Sequence, residues 1–281
     1  MRRRCRWGPI RFLVLGAMAL GMAAAGLLVP VRGDDSGAIL ELGLGSYLVR
    51  LEPPQGSPLP HEVGYPPSFA KTLTIWRGNL KVAEEDYVQA LGALTGTDIT
   101  GDGYPDVIVE CYSGGAHCCF QTVVYSLGEW VQMFRAGCES NCPGEFQDLD
   151  GDGICEFVTC DDIFAYRYCA FSDSPLVTVI LRFEPGIGYT VASQDFPALY
   201  AGEITAHTAM AEEVLHGDGL LGFDDTPKCG VLPLVLDYLY SGQVEQGWEA
   251  LYHYYRLPDV EAFRADIEQE IARSGYFTVP D

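Results

Sequence analysis

The segment DITGDGYPDVIVECYSGGAHCCF, residues 98–120, determines how the rest of the sequence is interpreted. It begins with an acidic, glycine-containing loop and continues into the apolar, β-branched run Val107–Val109. The following Ser113-Gly114-Gly115 predicts a turn, because serine and glycine favour reversals of the chain. The segment is therefore predicted to form a loop, a strand, a turn and a returning strand.

The acidic loop recurs in DLDGDGICEFVTC, residues 148–160. Positions 1, 3, 5 and 9 of each loop carry side-chain oxygens, position 6 is a glycine that permits a sharp bend, and position 7 offers its main-chain carbonyl. Calcium prefers about six to eight oxygen ligands, which a short loop supplies from alternate positions. The predicted Ca²⁺ ligands are Asp98, Thr100, Asp102, Tyr104 and Asp106 in the first loop, and Asp148, Asp150, Asp152, Ile154 and Glu156 in the second.

The surroundings of these loops differ from those of an EF-hand. An EF-hand has a bidentate glutamate at position 12, where this sequence has Val109 and Thr159, and a β-rich run follows each loop instead of a helix. Because of these loops and the strands that follow them, positions 72–193 resemble the calcium-binding repeats of the FG-GAP/VCBS family. In that family the loops join strands of β-propeller blades. The resemblance implies a structural, adhesive or ligand-binding module. The alternative is a pair of ordinary turns, since aspartate and glycine are common turn residues.

The N-terminus predicts export from the cytoplasm. Residues 1–11 are basic, Phe12–Val31 is almost wholly apolar, and small residues follow, as in a secretory signal peptide spanning residues 1–33. An uncleaved anchor is the alternative, because the apolar run approaches the ~20 residues that cross a bilayer. Loss of residues 1–33 would remove six arginines and no acidic residue, changing the formal net charge from −22 to −28. Such a charge argues against a nucleic-acid partner, which requires a basic surface.

The remaining sequence is predicted to be an α+β protein, with an antiparallel β-meander of two propeller-blade-like repeats before a helical region. Residues 34–70 contain a predicted strand, Ile39–Leu51, and a proline-rich linker, and residues 71–195 form the two-repeat calcium-binding β domain. In residues 196–281 the hydrophobic period becomes helical. The predicted helices are Ala198–Leu215, Val231–Tyr240, Gln243–Arg256 and Pro258–Arg273.

The cysteines indicate an oxidising compartment. Of the ten in the chain, eight lie between positions 111 and 169, and such clustering in a secreted protein predicts disulfides. A hairpin turn at 113–116 would place Cys111 opposite Cys118, and the repeat would place Cys160 opposite Cys169. We therefore predict disulfides between Cys111 and Cys118 and between Cys160 and Cys169. Cys119 could pair with Cys138, Cys142 or Cys155. Cys229 is the candidate free thiol.

No familiar hydrolase, metalloprotease or phosphate-binding motif is present, so an enzyme is not predicted. Two alternatives remain open. One is a secreted glycan-active hydrolase using two of the many carboxylates. The other is a metal or redox module built on His117-Cys118-Cys119. The favoured prediction is a secreted or periplasmic calcium-binding module whose partner is an extracellular protein or glycan, without membrane attachment after signal removal.

Overall fold

The computed structural model describes residues 39–53, 71–114 and 120–277. The predicted signal peptide, the proline-rich linker, and Cys118 and Cys119 lie outside these ranges. Within them the chain forms a seven-stranded antiparallel sheet in which the strands follow one another in chain order. Its strands are β1 (Leu40–Leu44), β2 (Tyr47–Glu52), β3 (Lys71–Arg77), β4 (Leu80–Leu91), β5 (Asp106–Tyr112), β6 (Phe120–Leu127) and β7 (Val131–Ser140).

A second sheet and four helices complete the described chain. The second sheet has the order β11-β10-β9-β8, and β9 pairs antiparallel with both β8 and β10. These elements are β8 (Glu145–Gln147), β9 (Glu156–Asp161), β10 (Val177–Glu184), β11 (Gly188–Val191), α1 (Ala201–His216), α2 (Lys228–Tyr240), α3 (Val244–Tyr254) and α4 (Val260–Ile271). The predicted α+β class is confirmed, although the strands divide into sheets of seven and four instead of two equal repeats.

The long strand β4 bends the first sheet. Its first half pairs with β3 and its second half with β5, and Tyr87 between the halves has a φ of +60°. The pairing register shifts on both sides of this point, as expected for β-bulges, which bend a strand and increase its twist. Side chains from β1 to β3 consequently share one core with those of β5 and β6. That core includes side chains of β5, the strand into which the first acidic loop leads.

The N-terminal strand prediction was wrong in one respect. Ile39–Leu51 is not one strand but a hairpin, in which β1 and β2 are joined by Gly45 and Ser46. Gly45 has a φ of +59°, a left-handed conformation that glycine adopts without steric cost. The continuous apolar alternation on both sides conceals this turn in the sequence.

The four helix predictions are confirmed to within about one turn. The most apolar of them, α2, is buried around almost its whole circumference, because it contacts both α1 and α3. The left-handed Gly217 follows α1, as expected of a glycine that ends a helix. None of the helices in the described ranges has the length and apolarity needed to cross a bilayer.

The chain divides into two compact units. One contains the seven-stranded sheet together with the short segments Asp148–Cys155 and Phe183–Gly188. The other contains Ser140–Gln147, Glu156–Arg182 and the chain from Tyr189 onwards, and therefore the helices.

Candidate functional site

Each acidic loop connects two antiparallel neighbours and leads directly into a strand. The first lies between β4 and β5, and the second lies between β8 and β9. The glycines at positions 4 and 6 of both loops adopt positive φ values between +74° and +90°. The alternation of polar residues with glycines in the sequence is therefore compatible with these turns. A side chain at these four positions would strain the backbone.

The second loop brings three carboxylates together within nine consecutive residues. Oxygen atoms of Asp148, Asp150 and Glu156 all lie within 4.8 Å of one another. Asp148 and Asp150 are exposed, whereas Glu156, the first residue of β9, is only 1% exposed. Within the described part of the chain, no other group of three histidine, cysteine or acidic residues meets this distance. These carboxylates are the candidate metal centre.

Backbone donors fix the shape of this loop. The two carboxylate oxygens of Asp148 accept hydrogen bonds from the N–H groups of Gly151 and Gly153, at 2.7 and 3.0 Å. The carboxylate of Asp152 accepts one from the N–H of Ile154 at 2.7 Å, and Asp152 is not part of the three-carboxylate group. The loop is therefore preorganised around Asp148, with Asp150 beside it.

A cationic side chain also contacts the buried member of the cluster. The Nε atom of Arg182 on β10 lies 3.5 Å from Glu156, and its Nη1 donates to Asp195 at 2.7 Å. The guanidinium offsets part of the cost of burying the Glu156 charge.

The first loop has the same spacing but different environments. Asp98 accepts hydrogen bonds from the N–H groups of Gly101 and Gly103, as Asp148 does in the second loop. Asp106 is fully buried, and one of its oxygens accepts from the N–H groups of Ile99 and Thr100 at 2.8 and 3.0 Å. Burial raises the pKa of Asp106 to about 6, in spite of these bonds.

The other predicted ligands of the first loop also take part in hydrogen bonds within the protein. Thr100 is buried and lies beside Asp106, with its hydroxyl 3.5 Å from a carboxylate oxygen. The hydroxyl of Ser126, at the end of β6, donates to Asp102, and the N–H of Tyr104 donates to the same carboxylate at 2.9 Å. The first loop is thus internally hydrogen-bonded, and its carboxylates do not form a close group.

The two loops contact each other, which the sequence spacing did not predict. The N–H of Cys155 donates to the carbonyl of Ile99 at 2.9 Å. Gly101 faces Ile154 so closely that a Cβ atom at position 101 would lie 2.7 Å from the Ile154 side chain. Position 8 of the second loop is therefore bonded to position 2 of the first, and no residue pattern in either loop indicates this pairing.

The disulfides differ from the predicted pairs. Cys160 is bonded to Cys142, and Cys169 is bonded to Cys229, so the predicted Cys160–Cys169 bridge and the predicted free Cys229 were both wrong. Cys160 lies on β9, whose neighbours are β8 and β10, and Cys142 comes just before β8. Cys169 lies instead in the chain between β9 and β10, and Cys229 lies in the first turn of α2.

The predicted Cys111–Cys118 bridge fails for a reason of register. Cys111 is directly opposite Gln121 in the β5–β6 pairing, three residues beyond the predicted partner. Its thiol is free and belongs to the core of the first sheet, where burial raises its pKa to about 12. Cys138 takes part in a disulfide, and Cys142, one of the three predicted alternatives for Cys119, is bonded to Cys160 instead. Cys119 itself lies outside the described residues.

Fold and site together define an α+β, disulfide-bonded protein with a candidate divalent-cation loop. Neither a protein-family model nor a solved structure matches the chain. A curated protein of Synechocystis sp. strain PCC 6803, the "Probable thylakoid lumen protein sll0997", is 26% identical in an alignment of 167 residues that covers 57% of this chain. The match spans 47% of the length of that relative, about half.

Proposed function

We propose that this chain is an extracytoplasmic calcium-binding protein in which Ca²⁺ orders the acidic loops and thereby the strands that they join. The observation that carries the proposal is the close group formed by Asp148, Asp150 and Glu156. Carboxylate oxygens are the ligands that a hard cation such as Ca²⁺ prefers. Two exposed carboxylates beside a buried third repel one another, so a divalent cation would be bound with a gain in stability.

The residues present fit such a cation better in the second loop than in the first. Asp148, Asp150 and Glu156 would hold it, with Asp152 and the carbonyl of Ile154 as further oxygen donors. In the first loop a cation would have to compete for Asp106 with two backbone donors and, because of the raised pKa of that carboxyl, with a proton below about pH 6. We therefore expect the second site to bind more tightly.

Export is supported by two independent features. Disulfides persist in oxidising compartments, and two are present in the unit that contains the helices. The name of the cyanobacterial relative also places that protein outside the cytoplasm, in the thylakoid lumen. The resemblance of the loops to FG-GAP/VCBS repeats supports a non-catalytic binding role, with an extracellular protein or glycan as the partner.

The test is a thermal melt of the oxidised protein in calcium and in chelator. At a calcium concentration about 100 times Kd, binding adds about 2.7 kcal/mol, which for a chain of this size raises Tm by roughly 5–10 °C. Magnesium at the same concentration controls for general screening of the acidic surface. An unchanged Tm in calcium would identify the loops as ordinary turns and reject the proposal.

Matched variants locate the site. Asp98→Asn and Asp148→Asn alter residues that both accept hydrogen bonds from the glycine N–H groups at positions 4 and 6, although Asp98 accepts a further one from Asp102, so their structural costs are comparable. Only Asp148 belongs to the carboxylate group, so Asp148→Asn should abolish most of the calcium-induced rise in Tm, and Asp98→Asn should abolish less. A larger loss from Asp98→Asn would make the first loop the principal site.

A further inference from the structure

We propose that the Cys142–Cys160 disulfide is a thiol-exchange site, and that its redox state controls the order of the β8–β9 hairpin. The proposal concerns redox chemistry and holds whether or not the acidic loops bind a cation. Three observations support it: this disulfide is accessible, the Cys169–Cys229 disulfide is buried, and the strand that Cys142–Cys160 fastens is short.

The first observation is a cavity that is lined by both half-cystines. Its volume is about 410 Å³, and both half-cystines line it together with Pro143, Glu145, Val158 and Thr159. Cys142 is half-buried and Cys160 is 7% exposed, so Cys142 is the more exposed half-cystine. The cavity lies at β8, which is the last strand of its sheet and has no further strand beyond it among the described residues. A thiol in solution therefore has a route to this bond.

The second observation is that the Cys169–Cys229 disulfide is buried on both sides. Cys169 is 4% exposed and Cys229 is fully buried. Thiol–disulfide exchange requires direct approach of the attacking thiolate to a sulfur atom, so access governs which bond reacts. The chain thus contains a matched internal control in the same unit.

The third observation concerns what the bond restrains. β8 has three residues, and its pairing with β9 consists of three residue pairs, from Glu145↔Val158 to Gln147↔Glu156. The disulfide adds a covalent link at the open end of this short strand, where Cys142 and Cys160 have Cα atoms 5.6 Å apart. Reduction would release β8 while leaving the β9–β10 pairing intact.

The exchange is balanced with a dithiol as reductant. One thiolate of the dithiol attacks the sulfur of Cys142, the Cys142–Cys160 bond breaks, and the Cys160 sulfur leaves as a thiolate that takes up a proton. The second thiol of the reductant then displaces Cys142 from the mixed disulfide. The protein disulfide gains two electrons and two protons, and the dithiol is oxidised to its own disulfide.

The test is timed reduction of the native protein with dithiothreitol, followed by alkylation and peptide mass spectrometry. Cys142 and Cys160 should become labelled at least tenfold faster than Cys169 and Cys229. The buried free thiol of Cys111 reports any unfolding of the first unit, since it labels only when its core opens. Equal rates for the two disulfides, or faster labelling of Cys169 and Cys229, would overturn the proposal.

A second measurement tests the structural consequence. Amide hydrogen exchange of Cys142→Ala/Cys160→Ala should be faster than that of the oxidised protein across residues 145–147, with little change in β10. The control is Cys169→Ala/Cys229→Ala, in which residues 145–147 should retain their protection. Unchanged protection of β8 in the first variant would mean that the disulfide does not control the hairpin.

Discussion

Asp106 shows how environment distinguishes two carboxylates of the same loop. It is fully buried, whereas its neighbour Asp102 is exposed, although both carboxylates follow the same alternation in the sequence. Because its folded-state pKa is about 6 against an ordinary value of 3.8, the folded protein binds this proton more tightly than the unfolded chain does. The free energy of unfolding should therefore fall as the pH rises from about 4 to about 6.

The variant Asp106→Asn tests this prediction. Two pKa units correspond to about 3 kcal/mol, so relative to Asp106→Asn the wild type should lose roughly that much stability between pH 4 and pH 7. The asparagine oxygen can still accept from the N–H groups of Ile99 and Thr100, which preserves the loop. Urea unfolding in chelator measures the difference, and a difference that is constant with pH would contradict it.

The two acidic loops contact each other at a glycine of the first loop. Gly101 has a φ of +74° and faces Ile154, whereas Gly103 in the same loop has a φ of +86° and open space around it. Alanine at either position carries backbone strain of about 1–2 kcal/mol, but only Gly101→Ala also meets the other loop. We expect Gly101→Ala to lower the free energy of unfolding by about 1 kcal/mol more than Gly103→Ala.

The double variant Gly101→Ala/Ile154→Ala provides the control for that prediction. Shortening Ile154 removes the atoms that collide with the new methyl group, so the excess cost of Gly101→Ala should shrink when it is measured in the Ile154→Ala background. Urea unfolding of the four proteins gives the coupling energy. Equal costs of Gly101→Ala in both backgrounds would show that the loops do not constrain each other.

The elements that sequence predicted well are those governed by local pattern. The helices follow from a period of about 3.6, and each loop-to-strand transition follows from glycine, aspartate and β-branched residues in adjacent positions. Pairing register was missed, because it depends on the length of the turn between strands, and Cys111 faces Gln121 instead of Cys118. The Gly45 turn was missed for a related reason, since apolar residues alternate on both sides of it.

At the scale of the whole chain, sequence alone was weakest on contacts between distant segments. The acidic spacing predicted which residues carry oxygen ligands, but it contained no information on which three carboxylates converge or on the Arg182 contact with Glu156. The Cys169–Cys229 bond likewise joins segments 60 residues apart, a separation too long to be predicted from a hairpin turn. Such contacts are fixed by packing, which a single sequence reports only indirectly.

That long-range disulfide should contribute more to stability than the accessible one. In the chain-entropy account, a disulfide stabilises the folded state more when it closes a longer loop. The expected stabilisation is about 4 kcal/mol for Cys169–Cys229 and about 3 kcal/mol for Cys142–Cys160. Cys169→Ala/Cys229→Ala should therefore lower the urea midpoint of the helical circular dichroism signal more than Cys142→Ala/Cys160→Ala. Wild type reduced at both bonds separates loss of the links from loss of cysteine packing. A larger effect at Cys142–Cys160 would show that native-state contacts, and not loop closure, determine what each bond contributes.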